Sequence, residues 1–305
     1  MKRLILISIF IISIVCLYAQ TGEIKVMTYN ILNDRLTPPE MPYANWGNRL
    51  PAVVELIKEV NPDIFGLQEG RTSQVKGIHS SLLDYSWYGD STSIHLGNPD
   101  QMGCHNAIFY KKDFTLLKWG DFSLSPTFST PSAGWNDWQQ RMCTWIKLRD
   151  KKGFIFFVFN AHLCSATSND NARTNSVGLI LSRIEAINEN NDPVIVMGDF
   201  NCDYTKDAYK IITSTCKFED SIDMASNKEN AASSTYGGFF SWSGDGKGGG
   251  RIDHIFVSEA HFNVEKYSIW KKMYEMKDFP LNAIGERKNH PSDHYPVIAQ
   301  LKYVK

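Results

Sequence analysis

The sequence predicts a layered α/β sandwich, and three observations carry that prediction. Apolar runs of strand length dominate, and only two segments, 49–60 and 172–188, show strong helical spacing. Strands and helices do not alternate regularly, as they would in a doubly wound sheet. Most of the short apolar runs also end on, or just before, an Asn, Asp, Glu or His. A chain that repeatedly ends strands on such residues is lining one polar cavity.

In order, Ile24 to Tyr29 alternates as a strand and delivers Asn30. Leu50, Val53, Val54 and Ile57 then share a helical face, which Asn61-Pro62-Asp63 terminates. Ile64 to Leu67 reads as a brief buried strand with Glu69 beyond its end. Trp87-Tyr88 and Asn106 to Tyr110 read as further strands. Residues 120–140 are rich in Ser, Pro, Gly and Trp without periodicity, which predicts a long surface loop. Cys143 to Leu148 and Phe154 to Asn160 form a hairpin pattern around Lys151-Lys152-Gly153, and its second strand delivers His162.

Val177, Ile180, Leu181, Ile184 and Ile187 place one apolar face on the helix over 172–188. Pro193 opens the strand Val194 to Met197, which runs into Gly198-Asp199-Phe200-Asn201. The glycine-rich segment 244–250 predicts a flexible loop ahead of a strand over 251–257 that carries Asp253. Residues 260–290 show no decided pattern. Asp293-His294 precedes a closing strand from Pro296 to Leu301.

A chain of 305 residues, 43% of them hydrophobic, can build one large domain or two small ones. Candidate chemical residues run from Asn30 to His294, so one domain over residues 20–305 is expected. Residues 1–19 read as a cleavable secretory signal peptide: Lys2 and Arg3, an apolar stretch from Leu4 to Leu17, then Ala19 before a cut at Gln20. The expected destination is periplasmic or secreted. Cleavage would remove two of 32 basic residues and none of 33 acidic ones, for a charge of about −3. That is not a basic nucleic-acid-type domain, although a local cationic groove can coexist with a near-neutral total. The cysteines that remain, Cys104, Cys143, Cys164, Cys202 and Cys216, contain no Cys-x-x-Cys pair, which argues against a zinc cluster. A Cys164–Cys202 bridge and two small buried thiols both fit.

Asn30, Glu69, His162, Asp199, Asn201, Asp253, Asp293 and His294 form a set with a shared chemistry. Hydrolysis of a phosphate ester requires charge neutralisation on the phosphoryl oxygens and an activated water. Glu69 and Asp293 carry hard oxygens suited to Mg²⁺ or Mn²⁺. A buried Asp199 can orient and deprotonate water. Asn30 and Asn201 offer neutral donors to anionic oxygens. Asp253 is the expected partner that fixes the protonation of His294.

Six segments in order resemble the motifs of the endonuclease/exonuclease/phosphatase family. They are Met27-Thr28-Tyr29-Asn30-Ile31, Asp63-Ile64-Phe65-Gly66-Leu67-Gln68-Glu69, Asn160-Ala161-His162-Leu163, Val196-Met197-Gly198-Asp199-Phe200-Asn201, Arg251-Ile252-Asp253-His254-Ile255 and Ser292-Asp293-His294-Tyr295-Pro296-Val297. The resemblance implies a four-layer α/β/β/α sandwich, two packed mixed sheets flanked by helices, with the site at the sheet edges. It implies that Glu69 is the principal metal ligand, assisted by Asn30 and Asp293, for Mg²⁺ or Mn²⁺. It assigns Asp199 to water activation, Asn201, His162 and His294 to the phosphoryl group, and Asp253 to support of His294. The segment Gly120 to Trp145 resembles a bacterial branch of the family, with Pro126-Thr127 where that branch more often has an acid and a proline. The aromatic-Asp-Arg signature of inositol phosphatases is replaced by Gly249-Gly250-Arg251.

The expected activity is hydrolysis of a phosphodiester or phosphomonoester: nucleic acid, nucleotide or a lipid or sugar headgroup. A monomer with no obligate protein partner is expected. The competing class is a non-catalytic binding protein on the same scaffold, whose signature would be missing motif residues. Three further residues are candidates for substrate binding, each with a structural alternative. Arg141 fits a phosphate or a surface ion pair, Asn106 the site or a strand amide, and Trp135, like Trp138, a stacking platform or loop packing. Gly248-Gly249-Gly250 fits a phosphate nest or a plain connector.

Overall fold

The structure is a computed structural model that describes residues 21–36, 42–91, 103–215, 217–237, 250–281 and 284–304. The leader reading, Cys216 and most of the glycine-rich segment lie outside the described residues. Among the described residues no helix is long and apolar enough to cross a membrane.

In chain order the strands are β1 (Thr21–Asn30), β2 (Ile64–Gln68), β3 (Tyr85–Tyr88), β4 (Ile108–Lys111), β5 (Thr115–Ser123), β6 (Met142–Arg149), β7 (Ile155–His162), β8 (Val194–Asp199), β9 (Phe218–Asp220), β10 (Asn227–Glu229), β11 (Asp253–Ser258), β12 (Phe262–Ile269), β13 (Tyr274–Glu275), β14 (Lys288–Asn289) and β15 (Val297–Val304). The helices are α1 (Trp46–Val60), α2 (Thr72–Ser81), α3 (Asp170–Ile187), α4 (Asp207–Ser214) and the short α5 (Ser221–Met224).

Two mixed sheets form the sandwich. One has seven strands in the order β10-β12-β15-β1-β2-β4-β3, the other six in the order β5-β6-β7-β8-β11-β9. Each has a central parallel pair, β1 with β2 and β7 with β8, and the first has a second parallel pair, β10 with β12, at its edge. Strand alternation sorts the side chains into three apolar layers. Between the sheets lie Ile24, Val26, Ile64, Val158, Ile195, Met197, Ile255 and Val297. Outside the first sheet, Met27, Tyr29, Phe65 and Leu67 pack with Val53, Ile57, Val75 and Ile78 from α1 and α2. Outside the second, Phe157, Phe159, Val194 and Val196 pack with Val177, Ile180 and Ile212 from α3 and α4. The helix–sheet–sheet–helix order agrees with the layering expected from the sequence.

The inter-sheet layer has a chemical gradient that follows from parity. Two residues beyond an inward apolar side chain lies another inward one. Val26 therefore leads to Thr28 and Asn30, Val158 to Asn160 and His162, and Met197 to Asp199. At this end the layer is polar and hydrogen-bonded. Gln68 Nε2 donates to Thr28 Oγ1 (3.0 Å) and across the sheets to Asn160 Oδ1 (2.7 Å). Asn160 Nδ2 returns the bond to Leu67 O at 2.9 Å. Gly66 makes room for this crossing, since a Cβ there would lie 2.8 Å from the Asn160 side chain.

Several elements differ from the sequence expectation. The long loop starts only after Ser123, because residues 115–123 form β5. This is an edge strand with seven of its nine residues exposed or half-exposed, so it lacks the apolar alternation of a buried strand. β12 lies in the undecided 260–290 stretch and pairs antiparallel with β15. α2 and α4 are short, at 10 and 8 residues, too brief for periodicity to separate them from loops.

Candidate active site

The site lies where the polar end of the inter-sheet layer opens. Ladder register does much of the assembly. His162 pairs with Asp199 across the parallel β7–β8 pair, and Asp253 pairs with the same Asp199 across the antiparallel β11–β8 pair. Asn30 pairs with Gln68 across β1 and β2, one residue before Glu69. Gly198, at φ +148°, lets β8 approach β7 so closely that a Cβ would fall 1.9 Å from Ala161 O. Three residues just beyond these strands take left-handed backbone: Leu32 (φ 55°), Glu69 (φ 63°) and Asn201 (φ 49°). Such conformations cost of order 1 kcal/mol or more for residues with a Cβ, and they persist here because the surrounding bonds impose them.

Asn30 is the hub. Its Nδ2 donates to Glu69 Oε1 (3.1 Å) and to Asp199 Oδ2 (3.0 Å), tying the first sheet to the second. Its Oδ1 accepts from Leu32 N at 3.1 Å. Glu69 Oε2 accepts from Asn33 N at 3.0 Å. Asp199 Oδ1 accepts from Asn201 N (2.9 Å), and Asp199 Oδ2 faces His162 Nε2 (3.5 Å) and His294 Nε2 (3.7 Å). His294 Nδ1 lies 2.8 Å from Asp253 Oδ2. Ser292 Oγ donates to Asn30 O at 2.7 Å and draws the last loop onto β1.

Burial sets the electrostatics. Asp199 is 1% exposed, and burial with the nearby Asp253 pushes its carboxyl up to about 7. Burial would lower His294, but Asp253 and Asp199 outweigh it and hold the ring well above the usual histidine range. Burial, with the cations Arg141 and His294, holds His162 well below that range. The two imidazoles on either side of Asp199 therefore differ, one cationic and one neutral at neutral pH. Burial also raises Asp293, with His294 opposing the shift and Glu69 adding to it.

The donor set fits a hard divalent cation. Asp293 and Glu69 are close enough to raise the proton affinity of Asp293 by mutual repulsion, and a cation relieves that repulsion. Both Glu69 oxygens are oriented by N–H donors and retain lone pairs for a metal. Asp199, Asp253 and His294 also bring one ligand atom each within 4.8 Å of one another. In that trio, however, His294 Nδ1 and Asp253 Oδ2 are already joined to each other, so the Glu69–Asp293 side is the better fit.

Seven of the eight core side chains meet in one cluster, and Asn201 joins it through its main-chain N–H to Asp199. The peripheral candidates do not all face it. Asn106 gives its Nδ2 to Met142 O (2.6 Å), the strand-amide alternative. Arg141 lies beside His162 but is held by Asp137 Oδ2 (3.1 Å) and Ser165 Oγ (2.9 Å). Trp135 sits at φ 53° and packs, half-buried, on the α3 layer. Trp138 instead is 76% exposed. Asn201 directs its Nδ2 to Leu163 O at 3.0 Å. Cys143, Cys164 and Cys202 are buried free thiols, so Cys164 and Cys202 are not bridged.

Two contributors carried no sequence signal. Thr235 Oγ1 accepts from Ile252 N (2.9 Å) and Asp253 N (3.1 Å), fixing the start of β11. Tyr236 forms an isolated bridge with His294 and places its ring 5.0 Å from the imidazole. Both lie in an irregular segment, where neither periodicity nor spacing marks a residue.

Comparison with known proteins agrees with this geometry. Residues 27–294 match the model of the endonuclease/exonuclease/phosphatase family. A solved family protein from Bacteroides thetaiotaomicron superposes with a TM-score of 0.82 at 30% identity, covering 93% of this chain and 99% of that one. A mannosyl-6-phosphatase from Bacteroides thetaiotaomicron VPI-5482 superposes with a TM-score of 0.80 at 31% identity, covering 91% of this chain and 99% of that one. A putative neutral sphingomyelinase from Drosophila melanogaster is 31% identical over 163 residues, which are 50% of this chain and 34% of the fly protein. The match thus spans about a third of the length of that relative.

Proposed function

This chain belongs to the endonuclease/exonuclease/phosphatase family, and from that premise we propose that it is an exported, Mg²⁺- or Mn²⁺-dependent phosphoric ester hydrolase acting on a small phosphomonoester of the sugar-phosphate class. The observation that carries the hydrolase reading is the Asn30 amide, 3.1 Å from Glu69 and 3.0 Å from Asp199, which places a metal-type carboxylate beside a base-type carboxylate. A bound divalent cation at Glu69 and Asp293 would neutralise charge on the phosphoryl oxygens.

The protein's own groups supply the remaining steps. Asp199 orients the attacking water and takes its proton, a role suited to a carboxyl near pH 7. His294, kept cationic by Asp253, offers Nε2–H to a phosphoryl oxygen. Neutral His162 places Nε2 beside Asp199, and the Asn201 main-chain N–H steadies Asp199 Oδ1 at 2.9 Å. The closed inter-sheet layer behind Asn30 excludes water from the back of the site.

Two observations favour a small ester over a polynucleotide. Two arginines near the site are engaged internally, Arg71 with Asp34 (2.8 Å) and Arg141 with Asp137 (3.1 Å), so neither adds to a cationic track. The similar mannosyl-6-phosphatase covers nearly the whole chain, whereas the sphingomyelinase match covers half. Export is supported by the basic and apolar pattern of residues 2–17.

The test is hydrolysis of mannose 6-phosphate, p-nitrophenyl phosphate, sphingomyelin, DNA and RNA, each with Mg²⁺, with Mn²⁺ and with EDTA. Turnover of sugar phosphate that EDTA abolishes is expected. Preferred cleavage of DNA or RNA would overturn the substrate class, and undiminished turnover in EDTA would overturn the metal.

A further inference from the structure

Two arginines are almost fully buried in the helix layers, and neither belongs to the reacting set. Arg49 on α1 is 0% exposed and Arg173 on α3 is 2% exposed. A guanidinium withdrawn from water carries a large desolvation penalty unless its donors are met. Main-chain carbonyls of the loops that carry the site meet most of them.

Arg49 donates from Nη1 to Ile31 O (2.7 Å) and Pro291 O (3.0 Å), from Nη2 to Leu32 O (2.9 Å) and from Nε to Ala44 O (2.8 Å). Ile31 and Leu32 directly follow Asn30. The adjoining amides of Leu32 and Asn33 reach Asn30 Oδ1 and Glu69 Oε2, at 3.1 and 3.0 Å. Pro291 opens the loop that carries Ser292 and Asp293. One side chain thus pins the β1 loop, whose Asn33 N–H holds the Glu69 carboxylate, to the loop that carries Asp293.

Arg173 repeats the device in the other sheet. It donates from Nη1 to Cys164 O (2.9 Å) and Ala166 O (2.8 Å), and from Nη2 to Thr167 O (3.2 Å). That loop follows β7 and His162. Between the gripped carbonyls, Ser165 Oγ accepts from Arg141 Nη2 at 2.9 Å. Just before them, Leu163 O accepts from Asn201 Nδ2 at 3.0 Å. The two arginines occupy matching places: each grips the loop that leaves the first strand of its sheet's central parallel pair.

We propose that Arg49 and Arg173 are positioning residues for separate halves of the active site, Arg49 for the metal side and Arg173 for the phosphate side. The assignment rests on the phosphoesterase reading above. The planar fork of arginine reaches three or four carbonyls at once, whereas the compact ammonium of lysine cannot span them. Arg49→Lys and Arg173→Lys therefore keep the charge and lose the grip.

The test measures binding of Mg²⁺ alone, and of inorganic phosphate at saturating Mg²⁺, by calorimetry on the full chain. Arg49→Lys is expected to weaken Mg²⁺ binding about 10-fold or more, with phosphate affinity within about twofold. Arg173→Lys is expected to weaken phosphate binding by about 10-fold, with Mg²⁺ affinity unchanged. Equal loss of both affinities in both variants, or no loss in either, overturns the division. Failure of the wild type to bind Mg²⁺ would instead sink the phosphoesterase reading. Should a variant not fold, hydrogen exchange on the wild type decides. Protection of the Leu32, Asn33 and Asn169 amides without metal supports the clamps. Protection that appears only on adding Mg²⁺ and phosphate shows that the ligands order these loops, and refutes them.

Discussion

His294 and Asp253 form a dyad in which Nδ1 lies 2.8 Å from Oδ2, and this contact fixes which ring nitrogen faces the cleft. The other nitrogen, Nε2, is left 3.7 Å from Asp199 Oδ2. Asp253 sits on β11 and Asp199 on β8, directly opposite in the ladder, so a strand register sets the aim of the imidazole.

Asp253→Asn should retain the shape of the dyad and lose its charge. Without that carboxylate the proton affinity of His294 falls, leaving Asp199 and Asp293 to oppose desolvation. We expect kcat to fall by about 10²–10⁴-fold, the usual contribution of a positioned acid–base group. Steady-state kinetics at saturating Mg²⁺ checks this, and unchanged kcat would remove His294 from the reaction.

The pH–rate profile should be bell-shaped. Asp199 must lose its proton to act as base, so activity rises as pH rises through about 7. His294 must keep its proton, so activity falls as pH rises through its elevated value. In Asp253→Asn the alkaline limb should move to lower pH. The same two shifts act on stability. Both groups bind protons more tightly folded than unfolded, Asp199 between its ordinary value of 3.8 and about 7, His294 from its ordinary 6.5 upward. The metal-free protein should therefore lose stability through these groups as pH rises across both windows. Buried His105, His162 and His290 act in the opposite sense up to the ordinary histidine range, so a melting temperature in metal-free buffer that climbs from about pH 7.5 to pH 9 would contradict this.

Glu69→Gln keeps one oxygen to accept from Asn30 Nδ2 or Asn33 N, turns an NH₂ toward the other donor, and removes the charge. Mg²⁺ affinity should fall by at least about 100-fold, because a hard cation loses its principal anionic ligand. Removing that charge also relieves the repulsion on Asp293. Calorimetric titration of metal into the folded variant is the measurement, and wild-type affinity would displace Glu69 from the metal.

Trp135 and Trp138 lie three residues apart and should respond differently. Trp135 packs on the α3 layer, so Trp135→Ala should destabilise the fold by about 1–3 kcal/mol in urea unfolding. Trp138 is 76% exposed, so Trp138→Ala should stay within about 0.5 kcal/mol of wild type. If Trp138 stacks on a sugar ring, its removal should raise KM for mannose 6-phosphate more than for p-nitrophenyl phosphate. Reversed stabilities would show that the loop is packed the other way.

The layered sandwich was legible in the apolar runs, and the eight polar residues were expected from their places beside those runs and from the family resemblance. Continuous apolar runs such as Ile64 to Leu67 and Val194 to Met197 call for strands buried on both faces, and a polar residue two positions beyond an inward apolar one emerges on the inner face. Asn30, Asp199 and His162 were legible for that reason. Only the tertiary structure decided the contacts between elements. Arg49 and Arg173 look like ordinary helical arginines until the loops they grip are folded over them. Trp135 and Trp138 are indistinguishable by spacing, and a left-handed turn at Trp135 and Asn136 separates the packed ring from the exposed one. Asn106 and Arg141 offered good phosphate chemistry, yet Met142 O and Asp137 hold them. A side chain's periodicity records which face it occupies, whereas its hydrogen-bond partner depends on residues far along the chain, and no local pattern encodes that distance.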